Sequence, residues 1–296
     1  MSDFQGKGII ASIVTPFNDD QTINVRSLKR LVNYLISKGI HGVFVNSGAG
    51  EFATLSSDEK RDLIELVVTE VGGRVPVYAG TGAITTAESI DLARFAERAG
   101  ADAVSVIAPC SVSLGQKELY SFYRELADST ELPVVLYNHP KVTGVTLTDS
   151  LVAKLARVEN IVGIKDSSGD FGLTLAYIRH QDDNFSVFAG VDMFIFAALA
   201  SGARGSISST AGVVPEYAVK IYDSVMNKDY DTANRAQNEL YPLRKAYSMG
   251  SFPSVVKAAL NMMGMDVGRP RKPIRPLGED SKAELRKILE NMGALS

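Results

Sequence analysis

Short runs of β-branched and apolar residues alternate with longer amphipathic stretches from residue 8 to about residue 225, the pattern of parallel strands joined by helices. Eight such runs stand out: 8–14 (GIIASIV), 41–46 (HGVFVN), 75–79 (VPVYA), 102–107 (DAVSVI), 133–137 (PVVLY), 161–165 (IVGIK), 185–189 (FSVFA) and 204–207 (RGSI). Each is followed by a helical stretch. Over 57–71, Leu63, Leu66, Val67 and Glu70 recur with a 3.6-residue rhythm, and Ser56-Ser57-Asp58-Glu59 reads as a helix start. The turns Lys38-Gly39, Ala99-Gly100-Ala101 and Ser201-Gly202 lead into three of the strands, where a helix must stop and turn back.

No G-x-G-x-x-G follows the first strand and no P-loop occurs, so the alternation predicts a (β/α)8 barrel rather than a doubly wound sheet. Beyond it the chain stays helical over 215–226, 230–248, 252–263 and 281–292, interrupted by the basic, proline-rich segment 268–276. The expected division is a catalytic barrel over 1–225 and a C-terminal helical extension over 226–296. A length of 296 residues suits one barrel plus an appendage.

Composition narrows the function classes. A net charge of -3 gives no broad basic face for nucleic acid. No apolar run reaches membrane-spanning length, and the N-terminus lacks a secretory pattern, so a cytoplasmic protein without a membrane partner is expected. The single cysteine, Cys110, excludes an internal disulfide, and three scattered histidines argue against a metal site.

In a barrel the chemistry sits at the C-terminal ends of the strands. Strict alternation along Ile161-Val162-Gly163-Ile164-Lys165 puts Ile161, Gly163 and Lys165 on one face and Val162 and Ile164 on the other. If the first face is the interior, an amine points into the mouth, where desolvation would free it to attack a carbonyl; an exposed lysine is the alternative. Tyr137 closes the strand PVVLY and could move a proton there, or be an ordinary half-buried tyrosine. The small residues of Asn46-Ser47-Gly48-Ala49-Gly50-Glu51 could aim backbone N–H groups at a carboxylate or phosphate, or serve only to turn the chain. Glu51 reads as a tie for the loop backbone.

With Val14-Thr15-Pro16-Phe17, Gly80-Thr81-Gly82, Tyr137-Asn138-x-Pro140, Gly144, Gly163-Ile164-Lys165-Asp166 and Gly190-x-Asp192, these segments resemble the family of dihydrodipicolinate synthase and N-acetylneuraminate lyase over nearly the whole chain. The resemblance implies a (β/α)8 barrel, a homo-oligomer (tetramer or dimer), no cofactor, and a small 2-oxo acid held as a Schiff base on Lys165. Tyr137 would shuttle protons, Ser47, Gly48 and Ala49 would hold the carboxylate, and backbone at Gly190 and Ile207 would line the pocket. Synthases usually carry two threonines, a tyrosine pair and an arginine where this chain has Gly48-Ala49, Cys110-Ser111 and Val142. These departures favour a 2-keto-3-deoxy-sugar-acid aldolase or dehydratase, with Ser47, Ser111, Thr143, Ser167 and Ser208 either as hydroxyl partners or as satisfied loop hydroxyls, and His139 either as a contact to the substrate chain or as a structural residue next to Pro140. A synthase-type condensation of pyruvate with an aldehyde stands second, and a non-catalytic acid-binding barrel third.

Overall fold

The computed structural model describes residues 6–110 and 112–295. Its sheet is a closed barrel of eight strands in chain order, every neighbouring pair parallel. The strands are β1 (Gly8–Ser12), β2 (Gly42–Val45), β3 (Val77–Gly80), β4 (Ala103–Ile107), β5 (Val134–Asn138), β6 (Ile161–Asp166), β7 (Ser186–Ala189) and β8 (Gly205–Ser208). Among the described residues eight α-helices lie between strands; the first seven are α1 (Val25–Ser37), α2 (Ser57–Val71), α3 (Thr86–Ala99), α4 (Gln116–Ala127), α5 (Pro140–Thr143), α6 (Asp149–Leu155) and α7 (Phe171–Ile178). An eighth, α8 (Ile195–Ala200), precedes β8, and α9 (Pro215–Met226), α10 (Tyr230–Ala246), α11 (Phe252–Met262) and α12 (Glu279–Asn291) follow it. The expected barrel and helical tail are both present, each strand within two residues of its expected bounds.

Local signals explain the elements. Ser56 Oγ accepts the Glu59 N–H and Glu59 Oε2 accepts the Ser56 N–H, a complete capping box at the start of α2. Gly39, Gly100 and Gly202 take φ of +82°, +87° and +109°, the left-handed conformation that stops a helix before the chain returns to the sheet. The buried stripe of α2 is Lys60, Leu63, Ile64, Val67 and Val71. It is rotated from the expected one, because Glu70 faces α1 instead, accepting from Asn33 Nδ2 at 2.7 Å and pairing with Lys29 at 3.3 Å.

Two apolar layers hold the barrel. The strands' outward side chains pack with the helices in one large cluster that includes Leu240, Val255, Leu260 and Leu285 of the tail. Inside the barrel, Ile10, Phe44, Tyr78, Ala103, Val135, Phe188 and Ile207 form a separate plug, so the interior is a packed core with a mouth at one end. In β6 strict alternation fails. Val134 pairs with Ile161 but Val135 with Gly163, a bulge that leaves Val162 as the extra residue. Ile161 therefore joins the outer layer beside Ile164, and Val162 packs on the inner plug. Beyond the bulge the expected phase holds, with Lys165 level with Tyr137 and Phe188 of the inner face.

Candidate active site

Lys165 stands near the C-terminal end of β6 with only 4% of its surface exposed. Its Nζ lies 4.2 Å from the centre of the Tyr137 ring and 4.9 Å from that of Phe44. Burial among these rings disfavours the ammonium and brings the amine down to about 7, against the pull of the Asp192 carboxylate, which favours the charged form. At neutral pH a large share of Lys165 is thus the free amine, the form that attacks a carbonyl. Burial raises the Tyr137 phenol well above its ordinary value, partly offset by a hydrogen bond with the Ser167 side chain. It is a neutral O–H at any physiological pH, able to give a proton to a developing alkoxide and take it back.

The loop after β2 closes one side of the mouth. Asn46 and Glu51 both adopt the left-handed conformation, with φ of +56° and +59°. Ser47 Oγ accepts the Gly50 N–H at 3.3 Å, Ser47 O accepts the Phe52 N–H, and Gly48 O accepts the Glu51 N–H at 3.2 Å. Neither the Gly48 nor the Ala49 N–H has a partner among the described residues. Two adjacent amides without a partner in a tight turn are donors of the kind that can take a carboxylate. A side chain at Gly48 would meet open space, so the missing hydroxyl there is not forced by crowding.

Other expected residues divide. His139 lies beside Tyr137, ring centres 5.8 Å apart, and its Nδ1 is buried without a partner. Burial, then the Lys165 and Lys141 charges, push the imidazole down to about 4, so it is neutral. Gly190 donates its N–H to Asp166 O at 2.8 Å, and a Cβ there would overlap Ser167 Oγ; it lets β6 and β7 end side by side. Ile207 contributes its side chain to the inner plug beneath the mouth. Ser111 lies outside the described residues.

Thr143 and Ser208 are corrected. Thr143 Oγ1 bonds the carbonyls of His139 and Val145 within its own turn. Ser208 alternates with inward Ile207 and is bonded to Thr210 Oγ1 at 3.1 Å and to the Ala211 N–H at 3.0 Å. Both hydroxyls are engaged in holding loops. Unpartnered buried hydroxyls near the mouth come instead from Ser12, Thr81 and Ser105, which sequence reasoning did not single out; the signal was available for Ser12 and Ser105, which share the inward phase of Ile10 and Ala103.

Among the described residues no group of three or more His, Cys, Asp or Glu could hold a metal ion, and no helix is long and apolar enough to cross a membrane. A cleft of about 910 Å³ opens at the opposite face, lined among others by Lys7, Arg157 and Arg204 at the strand starts, away from Lys165.

Residues 5–292 match the model of the Dihydrodipicolinate synthetase family. The chain belongs to that family. As a member of the dihydrodipicolinate synthetase family it is a class I, Schiff-base enzyme. A protein of Methanopyrus kandleri named 4-hydroxy-tetrahydrodipicolinate synthase is 39% identical over 99% of this chain and 98% of its own. A Phenylobacterium zucineum protein of the same name is 34% identical across the full length of both. Among solved structures, dihydrodipicolinate synthase from Acinetobacter baumannii complexed with pyruvate superposes with a TM-score of 0.94 at 34% identity, covering 98% of this chain and 99% of that one. YagE, a prophage protein of the same family from E. coli K12 in complex with pyruvate, gives 0.95 at 30% identity, covering 98% and 100%. The names of these relatives fit the condensing reading better than the sugar-acid reading placed first from the sequence.

Two charged groups of this family member were given no role from the sequence: Asp192, which entered only as part of a motif, and Lys257, which was not singled out. Asp192 is buried, accepts from the N–H groups of Ser209 and Thr210 and from Ser209 Oγ at 2.6 Å, and faces Arg244 of α10 at 3.8 Å. Lys257 sits on the apolar face of α11 between Ser254 and Leu260, 1% exposed. A lysine in an otherwise apolar helical stripe was the signal for it.

Proposed function

We propose that the protein makes or breaks a carbon–carbon or carbon–oxygen bond of a pyruvate unit held as a Schiff base on Lys165. The observation that carries this is the Lys165 amine, buried between Tyr137 and Phe44 and shifted to about 7. The amine adds to the 2-oxo carbon and water leaves, giving an iminium that withdraws electrons from the methyl carbon. The phenol gives its proton to the departing hydroxyl, the phenolate so formed takes a methyl proton to leave an enamine, and the enamine carbon can attack an aldehyde while the phenol returns that proton to the new alkoxide. Run backwards, the same steps cleave a 4-hydroxy-2-oxo acid. Tyr137 is the phenol in this reading, the Gly48 and Ala49 amides hold the carboxylate, and His139 faces the rest of the substrate. Family membership favours these catalytic readings over the acid-binding barrel.

Each of two second substrates has an observation behind it. The relatives' shared name supports condensation of pyruvate with an aldehyde. Gly48 and Ala49, without hydroxyls, and Val142, 47% exposed where synthases carry an arginine, support a substrate that brings its own hydroxyls, a 2-keto-3-deoxy sugar acid. Proton NMR of pyruvate in D2O tests the shared chemistry: the methyl signal should exchange with enzyme present, and about 10²-fold or more slowly with Tyr137→Phe. An unexchanged methyl group with the folded protein would contradict it. Aspartate semialdehyde and a panel of 2-keto-3-deoxy acids then separate the two readings, by pyruvate consumed in one and released in the other.

A further inference from the structure

The helical extension enters the mouth of the barrel through buried charges. Lys257 Nζ lies 2.6 Å from Glu51 Oε1, with the two side chains 1% and 0% exposed. The same ammonium donates to Arg269 O at 3.1 Å and stands 4.1 Å from the centre of the Phe17 ring. The other carboxylate oxygen of Glu51 accepts the backbone N–H of Arg271 at 2.8 Å. The Arg271 guanidinium covers the opposite side, bonding both carboxylate oxygens of Glu59 and the carbonyls of Thr54 and Gln21, 4.3 Å from the Phe17 ring. Glu51 is thus held from two directions by the extension and has no freedom to turn.

Glu51 is also the residue whose left-handed backbone ends the tight turn carrying the free Gly48 and Ala49 amides. Left-handed backbone is strained for a residue with a side chain and persists only where surroundings fix it. From the barrel itself the same turn is braced by Thr15 Oγ1, bonded to Gly50 O at 2.7 Å, by Ser47 Oγ and by Thr54 Oγ1, bonded to Glu51 O at 3.0 Å, but none of these side chains touches the Glu51 carboxylate. We propose that Lys257 is a positioning residue for the substrate carboxylate: through Glu51 it holds the turn that aims the Gly48 and Ala49 N–H groups. The extension is then part of the pyruvate site although it contributes no atom to the reacting centre. This rests on the reading of that turn as the carboxylate site and of Lys165 as the nucleophile.

Its test is reductive trapping on Lys165 by borohydride, with pyruvate and, separately, with acetone, a ketone without a carboxylate. Removing one partner alone leaves a buried unpaired charge, which can unfold the chain. The single variant Lys257→Met is therefore paired with the double variant Glu51→Gln/Lys257→Met, which leaves no unpaired charge, each first shown folded by circular dichroism. The pyruvate concentration giving half-maximal trapping should rise about tenfold or more in the folded variants, as displaced positioning groups do. The rate at saturating pyruvate and the trapping of acetone should stay within about twofold of wild type, a split that general destabilisation would not produce. An unchanged half-saturation in a folded variant would overturn the inference, as would equal losses with pyruvate and acetone. If the wild-type protein traps acetone on Lys165 but pyruvate no better, the turn is not a carboxylate site and the inference falls while the nucleophile stands; if it traps neither, the Schiff-base reading falls first.

Discussion

Among the described residues Lys165 makes no ion pair, and its Nζ stands over the Tyr137 and Phe44 rings. A cation over aromatic faces is attracted to them, yet less strongly than it is to water, so the amine sheds its proton early. That has a cost to folding. An unfolded lysine keeps its proton up to about 10.5, whereas the folded one loses it near 7, a difference worth at most about 5 kcal/mol. Between these values the unfolded state binds more protons, so the contribution of Lys165 to stability improves as pH rises through that window and is poorest below pH 7. Lys165→Met should therefore be more stable than wild type at pH 6, with the gap in melting temperature narrowing by pH 9. A gap that is absent, or that widens with pH, would show that the amine is not desolvated as described. His139 follows the same physics from the other side: two lysines and burial keep it neutral, leaving one ring nitrogen as acceptor and one as donor.

The elements place these side chains through backbone fit. Gly163 lets β6 lie against β7: a Cβ there would come within 2.5 Å of Ser186 O, a backbone atom that cannot swing aside. Gly163→Ala should destabilise the barrel by about 1–3 kcal/mol, read as a lowered melting temperature, and should displace Lys165 two residues on. An unaltered melt would mean that the strands have slack. Much of this architecture was legible in the chain. Alternating apolar runs gave strands close to their true ends, the Ser56–Glu59 box marked the start of α2, and Lys165 was legible as a strand-end residue, the place of the candidate site. The bulge at Val162 was not legible, since it depends on how β5 and β6 are matched, and local alternation says nothing about that. The inward phase of Lys165 was right despite being argued from Ile161, because the bulge falls between them. Pairings such as Lys257 with Glu51 or Arg244 with Asp192 join residues from distant parts of the chain and follow only from the folded topology.

Across the whole molecule, barrel and extension share one apolar layer, and two ion pairs with buried carboxylates cross between them, at Glu51 after β2 and at Asp192 after β7. The division near residue 225 is proposed as architectural rather than as a boundary between units that fold alone. Self-association is part of the same proposal, to be read by sedimentation. What the fold achieves is to set one buried lysine, Lys165, over aromatic rings at the functional rim, whereas buried Lys257 is paired with Glu51. The central claim is met most directly by borohydride reduction of the full-length protein with pyruvate, read by intact mass and peptide mapping across pH. A single reduced pyruvyl adduct on Lys165, absent in Lys165→Ala and forming at a rate that rises through about pH 7, is the predicted result. No adduct on folded protein, adducts scattered over surface lysines, or a rate still climbing near pH 10 would contradict it.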